Sequence, residues 1–225
     1  MNRSLILLIT FLTLMLGGCA SFPGKKLAQV DLPDVQQYES KPTVAFDIKF
    51  FRGNPESDSA IDLTSSVPAL TEIVKREIDA AKLFNSYTID EFNSANAEHV
   101  IKLHFYNHVE NQGGAAIAGF ITGFTFGVIP SFATDKYTLK AELLTTATPA
   151  ASYSHGSTDT IKTMIGIWFI PAMGNTPKKA FDETISNMVR DALKEMIENK
   201  QLQYSLMLED QGLFNKTELS YLAIN

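Results

Sequence analysis

Cysteine is almost absent from this chain, which has a single one, Cys19, in 225 residues. One cysteine cannot form a disulfide within the chain, so a globular domain here has to be held together by its own core. Basic residues are also scarce, because 19 Lys and Arg stand against 25 Asp and Glu and give a formal net charge of -6. An acidic chain without a basic run argues against nucleic-acid binding and against electrostatic docking on anionic lipid.

Short motifs of known catalytic sites are absent too, because the sequence has no G-x-S-x-G, no H-E-x-x-H and no G-x-x-x-x-G-K. His104 and His108 lie on a predicted strand, where residues four apart are separated by about 13 Å and cannot share a metal ion. His155, Ser157 and Asp159 share one face of another predicted strand without being in hydrogen-bond reach of one another. We therefore predict no catalytic, cofactor-binding or metal-binding residue and no cofactor.

Residues 1–18 have the organisation of a secretory signal peptide, with Arg3 before an apolar stretch that is too short for a transmembrane anchor. The run Leu16-Gly17-Gly18-Cys19 resembles the lipobox of bacterial lipoproteins, in which the cysteine is acylated and becomes the mature N-terminus. The alternative is an ordinary signal peptide that ends at a chance cysteine.

The lipobox resemblance implies lipidation at Cys19 and stable anchoring, since two or three acyl chains meet the requirement of about two lipid signals. Ala20 follows the cysteine, and by resemblance to Gram-negative sorting rules a residue other than Asp there implies the outer membrane. The expected location is therefore the periplasmic face of the outer membrane. The expected partners are the membrane and either an envelope protein or a second copy of this chain, with no nucleic acid.

Three segments follow the signal peptide. Residues 19–41 combine prolines and charges without a period and predict a flexible tether after the lipidated cysteine. Residues 42–200 are long enough for a single periplasmic domain. Residues 201–225 contain several leucines but show no period, so their structure stays open.

Period-two alternation predicts strands over residues 43–51, 99–109, 136–145 and 152–162. Apolar residues at helical spacing predict one helix that starts near Ser66, as its N-cap, and ends near Phe84. A second helix is predicted to start at Thr176 and Pro177 and to end near Lys200. The charged face of the first helix, which includes Glu77, is predicted to be solvated.

The expected fold class is therefore α/β of the α+β type. It has a small, mainly antiparallel sheet, two packed amphipathic helices and a Gly-rich apolar insertion. The final two strands are expected to pair as an antiparallel hairpin because the connection between them is short. If the strand over residues 99–109 is also their antiparallel neighbour, the last three strands lie side by side.

Two apolar segments, residues 113–133 and residues 163–174, contain no charged side chain. The antiparallel order of the strands predicts that both segments emerge at the same end of the domain. In the first segment, small residues recur every fourth position, a spacing at which helices pack closely in lipid: Ala115, Gly119, Gly123 and Gly127.

Two interpretations of these segments stay open. They either fold inward and cap the sheet, or form an exposed apolar surface for contact with a protein or a membrane. A full membrane crossing by residues 113–133 would place strands of one sheet on opposite sides of the bilayer, which argues against such a crossing. A hairpin that only touches the lipid is compatible with a single sheet. The predicted interaction surface consists of Gly119, Phe120, Gly123, Phe124, Phe126, Gly127, Ile129, Trp168, Phe169 and Ile170.

The order of these features resembles a broad set of bacterial outer-membrane lipoproteins with a GxIP element, here Gly127-Val128-Ile129-Pro130. The order of strands and helices is also similar to the periplasmic α/β domains of the LpoB, FlgO and CsgG lipoproteins, although no functional residue of theirs can be matched. The resemblance implies a lipid-anchored binding or assembly module of the cell envelope rather than an enzyme. The alternatives are a membrane-active component that oligomerises through its glycine stripe, and an envelope enzyme whose site no motif reveals.

Overall fold

A computed structural model of the chain describes residues 18–27, 29–89, 97–109, 112–145, 148–202 and 204. The predicted signal peptide up to residue 17 and the C-terminal extension beyond residue 204 lie outside the described residues.

The strands form one open sheet of seven strands in the order β1-β7-β6-β5-β2-β3, with β4 also paired with β2. β2 runs parallel to β4 and β5, and the other pairs are antiparallel. This confirms the predicted α/β fold class with a mainly antiparallel sheet. The strands are β1 (Cys19–Pro23), β2 (Thr43–Arg52), β3 (Ile61–Asp62), β4 (Ser86–Thr88), β5 (His99–Val109), β6 (Ser131–Thr145) and β7 (Thr148–Ile165).

Within the described residues, the α-helices are α1 (Val67–Ala81), α2 (Gln112–Phe124) and α3 (Pro177–Glu198), and 3₁₀ helices cover Thr64–Ser66 and Ile167–Ala172. α3 starts as predicted, because the Thr176 hydroxyl accepts a hydrogen bond from the backbone N–H of Lys179 at 3.2 Å. Ser66 precedes α1 but makes no side-chain cap, since the 3₁₀ turn runs directly into the helix and leaves Ser66 in a helical conformation.

α1 and α3 share one hydrophobic core with a face of the sheet. Burial of each large apolar side chain stabilises the fold by ~1.5 to 3 kcal/mol, so this layer is the main source of stability. Its largest fully buried side chains are Leu70, Ile78, Leu83, Ile101, Leu103, Phe105, Leu139, Leu143, Ile185, Met188, Leu193 and Met196.

The prediction of a tether over residues 19–41 is wrong for its first part, because Cys19–Pro23 forms the edge strand β1. β1 pairs with β7 in the register Cys19 to Ile165, and the backbone N–H of Ser21 donates to the carbonyl of Asn175 at 2.8 Å on the other side. Val35, further along the predicted tether, is 1% exposed and belongs to the core. A five-residue strand is too short to show a period, and it forms here because β7 offers an unpaired edge.

The boundaries of the apolar segments also differ from the prediction. The strands β6 and β7 extend to Ser131 and Ile165, so both reach into the segments that were expected to lie outside the sheet. α2 covers only the first part of residues 113–133 and leaves Gly127 beyond its end. Residues 52–66, between the first predicted strand and the first predicted helix, contain the short strand β3.

The prediction that the charged face of α1 is solvated is wrong for Glu77, which is 4% exposed. Glu77 faces Ser186 and Arg190 on α3, so the packing of one helix on the other buries it. Glu72, on the same helix, is exposed as expected.

Candidate functional site

Both apolar segments lie at the same end of the sheet, which confirms the placement predicted from the strand order. α2 follows β5 at this end, and the 3₁₀ helix Ile167–Ala172 follows β7. The two segments are in direct contact, because the backbone N–H of Ile167 donates to the carbonyl of Gly127 at 3.1 Å. The indole N–H of Trp168 donates to the carbonyl of Val128 at 2.9 Å.

Two glycines allow the segments to come this close. Gly127 has a φ of +80°, and a Cβ there would lie 3.2 Å from the backbone nitrogen of Ile167. Gly166 has a φ of +154°, and a Cβ there would lie 3.0 Å from the carbonyl oxygen of Gly127. Larger residues would strain the backbone and push the segments apart.

The apolar side chains of this region face outward. Of the 13 large hydrophobic side chains exposed in the described parts of the chain, only Ile61 lies outside the two apolar segments. These side chains therefore do not complete the core of the domain. We call the remaining twelve the apolar end: Ile117, Phe120, Ile121, Phe124, Phe126, Val128, Ile129, Phe132, Ile165, Trp168, Ile170 and Met173.

The predicted surface residues divide into two groups. Most lie in the open, and the most exposed are Phe124 at 78% and Phe120 at 74%, whose rings stack with centroids 6.4 Å apart. Gly119 and Gly123 also face open space, with no atom within 4 Å of the position that a Cβ on either residue would take. Gly127 and Phe169 are less exposed than the other predicted surface residues.

Gly127 is buried in the turn, and Phe169 is half-buried beneath the apolar end. The ring of Phe169 packs edge-on against Phe132, with centroids 6.1 Å apart. These two residues support the apolar end from inside rather than contribute to its outer surface. Sequence reasoning placed them on the surface because exposed and supporting apolar residues have the same composition.

The N–H and hydroxyl donors of the turn after α2 are paired internally. Backbone N–H groups of residues 125 to 128 donate to carbonyls of residues 121 to 125, at distances from 2.7 to 3.1 Å. The N–H of Ile129 donates to the Thr125 hydroxyl at 3.2 Å, and Pro130 has no N–H. The hydroxyls of Thr122 and Thr125 donate to the carbonyls of Ala118 and Ile121. This turn needs no water to satisfy these donors.

Cys19 begins β1 beside the apolar end, since it lies opposite Ile165 in the sheet register. The residue is half-buried. The preceding Gly18 is buried, and its carbonyl accepts a hydrogen bond from the N–H of Gly166 at 2.9 Å. Sequence reasoning missed this proximity because it treated the residues after Cys19 as a tether.

Two histidines away from this end, His104 and His155, are paired with acids. Nε2 of His104 lies 3.4 Å from Oδ2 of Asp47, and Nε2 of His155 lies 2.8 Å from Oδ2 of Asp191. Asp159 is 1% exposed and accepts hydrogen bonds from the backbone of the segment after β1. Within the described residues, no three His, Cys, Asp or Glu side chains are grouped so that they could hold a metal ion.

In the described parts of the chain, no helix combines the length and the apolar character needed to cross a membrane.

No protein-family model matches the chain, and no curated protein sequence matches it. Among solved structures, the protein XCC0632 of Xanthomonas campestris, from the DUF330 family, is 10% identical with a TM-score of 0.42, covering 76% of this chain and 93% of that one. A minor lipoprotein of Acinetobacter baumannii is 7% identical with a TM-score of 0.37, covering 78% and 98%. The rare lipoprotein B of Shewanella oneidensis is 10% identical with a TM-score of 0.36, covering 71% and 96%. Similarity at this level carries no functional assignment.

Proposed function

We propose that this chain is a bacterial lipoprotein anchored through Cys19 to the periplasmic face of the outer membrane. Its α/β domain acts as a binding or assembly module of the envelope, and the apolar end is its working surface. The observation that carries the proposal is the concentration of exposed hydrophobic side chains in the two apolar segments, with only Ile61 outside them among the described residues. Soluble proteins expose contiguous apolar surface of this kind mainly where a protein or a membrane covers it.

The lipobox residues before Cys19 support the anchor. By resemblance to lipoproteins, the Cys19 sulfur gives up its proton and forms a thioether to a diacylglyceryl group, which a phospholipid donates with loss of its head group. Water then hydrolyses the peptide bond between Gly18 and Cys19 and frees the Cys19 amine. Cys19 would thus become both the first residue of the mature chain and its membrane attachment.

The buried polar clusters support a non-catalytic module. Both carboxylate oxygens of Glu77 accept hydrogen bonds from protein donors, with Ser186 on Oε1 and Arg190 on Oε2. A general base needs a free lone pair near a substrate, whereas both carboxylate oxygens of Glu77 are directed to donors within the fold.

Self-association is a second candidate for what covers the apolar end, and one observation favours it. Gly119 and Gly123 lie on the open side of α2, where a Cβ on either residue would have no atom within 4 Å, so no element of the described chain packs on this stripe. A helix of a second copy could approach such a stripe closely. Replacement of both glycines with Leu would then abolish oligomers and leave the monomer folded.

The anchoring is tested by Cys19→Ser in a Gram-negative host, with the membranes separated on a density gradient. We expect the unmodified chain in the outer membrane and the variant absent from it. Ser154→Ala, at an exposed position far from Cys19 in the sequence, is the control and should keep the outer-membrane location. Recovery of Cys19→Ser in the outer membrane would overturn the anchor.

The working surface is tested by two cysteine variants of similar exposure, Phe124→Cys in the apolar end and Ile61→Cys outside it, which are 78% and 62% exposed before substitution. Because Cys19 is the only native cysteine and its sulfur is acylated under this proposal, each variant has one free thiol. A hydrophilic maleimide applied to outer-membrane fractions should label Ile61→Cys and spare Phe124→Cys. Both should react after denaturation. Equal labelling before denaturation would contradict a covered apolar end.

A further inference from the structure

We infer that the apolar end enters the same membrane leaflet that holds the lipid on Cys19, so that the domain sits directly on the bilayer. This rests on the lipidation in the proposed function and names the acyl chains of that leaflet as the partner. Four features of the described residues lead to it: the position of Cys19, the surroundings of Gly18, the pairing of polar groups, and the absence of charge.

The position of Cys19 leaves no spacer between the lipid and the domain. A free tether of residues 20–41 could extend for roughly 70 Å and would allow the domain to hang away from the bilayer. In the structure, Cys19 is instead paired with Ile165, and the neighbouring Ala20 and Ser21 are 0% and 1% exposed. The Ser21 hydroxyl also lies 2.8 Å from the hydroxyl of Thr163 on β7. An acyl chain on Cys19 therefore starts at the base of the apolar end.

The surroundings of Gly18 fit an acyl group on the Cys19 nitrogen. A Cβ on Gly18 would lie 2.6 Å from the Ile170 nitrogen and 2.9 Å from the Gly166 oxygen, so the space accepts an unbranched methylene only. Acyl transfer from a phospholipid ester to the freed amine forms an amide and releases a lysophospholipid. The new carbonyl and its first methylene occupy the covalent positions of the Gly18 carbonyl and Cα. The N–H of Gly166 then keeps its acceptor.

The hydrogen-bond donors of the turn and of Trp168 are paired in a way that suits a medium without water. In lipid, an unpaired backbone donor costs several kcal/mol, and in the turn of residues 125–130 every N–H has an internal acceptor. Trp168 exposes 65% of its surface, yet its indole N–H is bonded to the Val128 carbonyl. The ring can thus enter an apolar medium without an unpaired donor.

The contact is apolar rather than electrostatic, because residues 113–133 and 163–174 contain no charged side chain. Head-group charge therefore contributes little to it. We expect the seating to persist in high salt and in vesicles of zwitterionic phospholipid alone.

Trp168 makes the test direct, because it is the only tryptophan of the chain and lies within the apolar end. The full lipidated protein is reconstituted into phosphatidylcholine vesicles whose acyl chains are either plain or brominated near the carbonyl. Bromine quenches only a fluorophore that reaches it, so we expect a marked loss of Trp168 emission in the brominated vesicles, unchanged in high salt. The matched control is Trp168→Phe combined with Ser86→Trp, at an exposed position on β4 at the opposite end of the sheet.

The control should give equal emission in the two kinds of vesicle. Equal emission of Trp168 from a chain that floats with the vesicles would overturn the seating in the leaflet. If Trp168 were then also shielded from quenching by aqueous iodide, a protein partner or a second copy would cover the apolar end. The proposed function would stand in that case. Failure of the chain to float, or an N-terminal peptide mass without lipid on Cys19, would instead overturn the anchor of the proposed function.

Discussion

Arg190 on α3 donates from Nε to Oε2 of Glu77 on α1 at 2.6 Å. Ser186 on α3 and Arg76 on α1 donate to the other carboxylate oxygen at 2.9 and 3.2 Å. Burial by itself raises the pKa of Glu77, but the hydrogen bonds from Arg190 and Ser186 and the charge of Arg190 outweigh it, so its pKa lies below the ordinary value. The charged cluster therefore joins the two helices that cover the sheet.

Removal of the Glu77 charge should destabilise the fold. Glu77→Gln keeps the shape of the side chain but leaves Arg190 without its counter-charge, and we expect a loss of ~2 to 3 kcal/mol in the free energy of unfolding. Urea denaturation followed by circular dichroism measures this loss. The control is Glu72→Gln on the exposed face of α1, which should change stability by less than ~0.5 kcal/mol. Equal stability of the two variants would rule out a structural role for the cluster.

The same cluster predicts a dependence of stability on pH. Because the pKa of Glu77 is lower in the folded state than its ordinary value of 4.5, the unfolded chain takes up a proton first as the pH falls. The contribution of Glu77 to the free energy of unfolding is fully present above pH 4.5. It is lost as the pH falls through the pKa that Glu77 has in the folded state. The stability difference between the unmodified chain and Glu77→Gln should therefore be constant near neutrality and shrink in acid. A difference that grows in acid would contradict this sign.

Two glycines of the apolar end should respond to alanine in opposite directions. Gly127→Ala places a Cβ at a positive φ and 3.2 Å from the Ile167 nitrogen, so we expect a loss of ~1 to 2 kcal/mol. Gly119→Ala lies in α2 with open space around it, so we expect a gain of ~0.5 to 1 kcal/mol from helix propensity. Thermal unfolding of the two variants checks both signs. A stabilising Gly127→Ala would show that the turn tolerates a side chain.

Asp159 should hold the segment that follows β1 onto the domain. Its Oδ1 accepts from the N–H of Lys26 at 3.2 Å, and its Oδ2 lies 3.4 Å from the N–H of Leu27. Asp159→Ala removes both acceptors, and we expect faster tryptic cleavage after Lys25 and Lys26. Limited proteolysis followed by mass spectrometry measures the rate, with the exposed Asp58→Ala as the control. Unchanged cleavage would show that the segment is held without the Asp159 carboxylate.

Strong local patterns made much of the fold predictable. β5 and the core of β6 alternate so regularly that both the strands and their buried faces followed from the sequence. The Thr176 and Pro177 signal located the start of α3. The common end of the two apolar segments followed from antiparallel pairing, which is a geometric consequence of short connections.

Other features of the fold could not be predicted, because their sequence patterns are short or ambiguous. β1 has only five residues, and it forms a strand because it pairs with residues Ile161 to Ile165 of β7. Glu77 is indistinguishable in sequence from its solvated neighbours on α1, and only its position opposite Arg190 shows that it is buried. The direction in which the apolar end faces also has no sequence signature, because an inward cap and an outward surface need the same residues.

The sequence by itself determined the candidate anchor at Cys19, the α/β class with its mainly antiparallel strands, and the presence of two uncharged segments at one end. These features depend on residue type and spacing along the chain. Only the tertiary structure decided that β1 holds Cys19 against Ile165, that α1 and α3 bury Glu77, and that the apolar end faces outward. Each of these depends on contacts between residues distant in sequence, and the free energy of such contacts is set by packing rather than by local pattern.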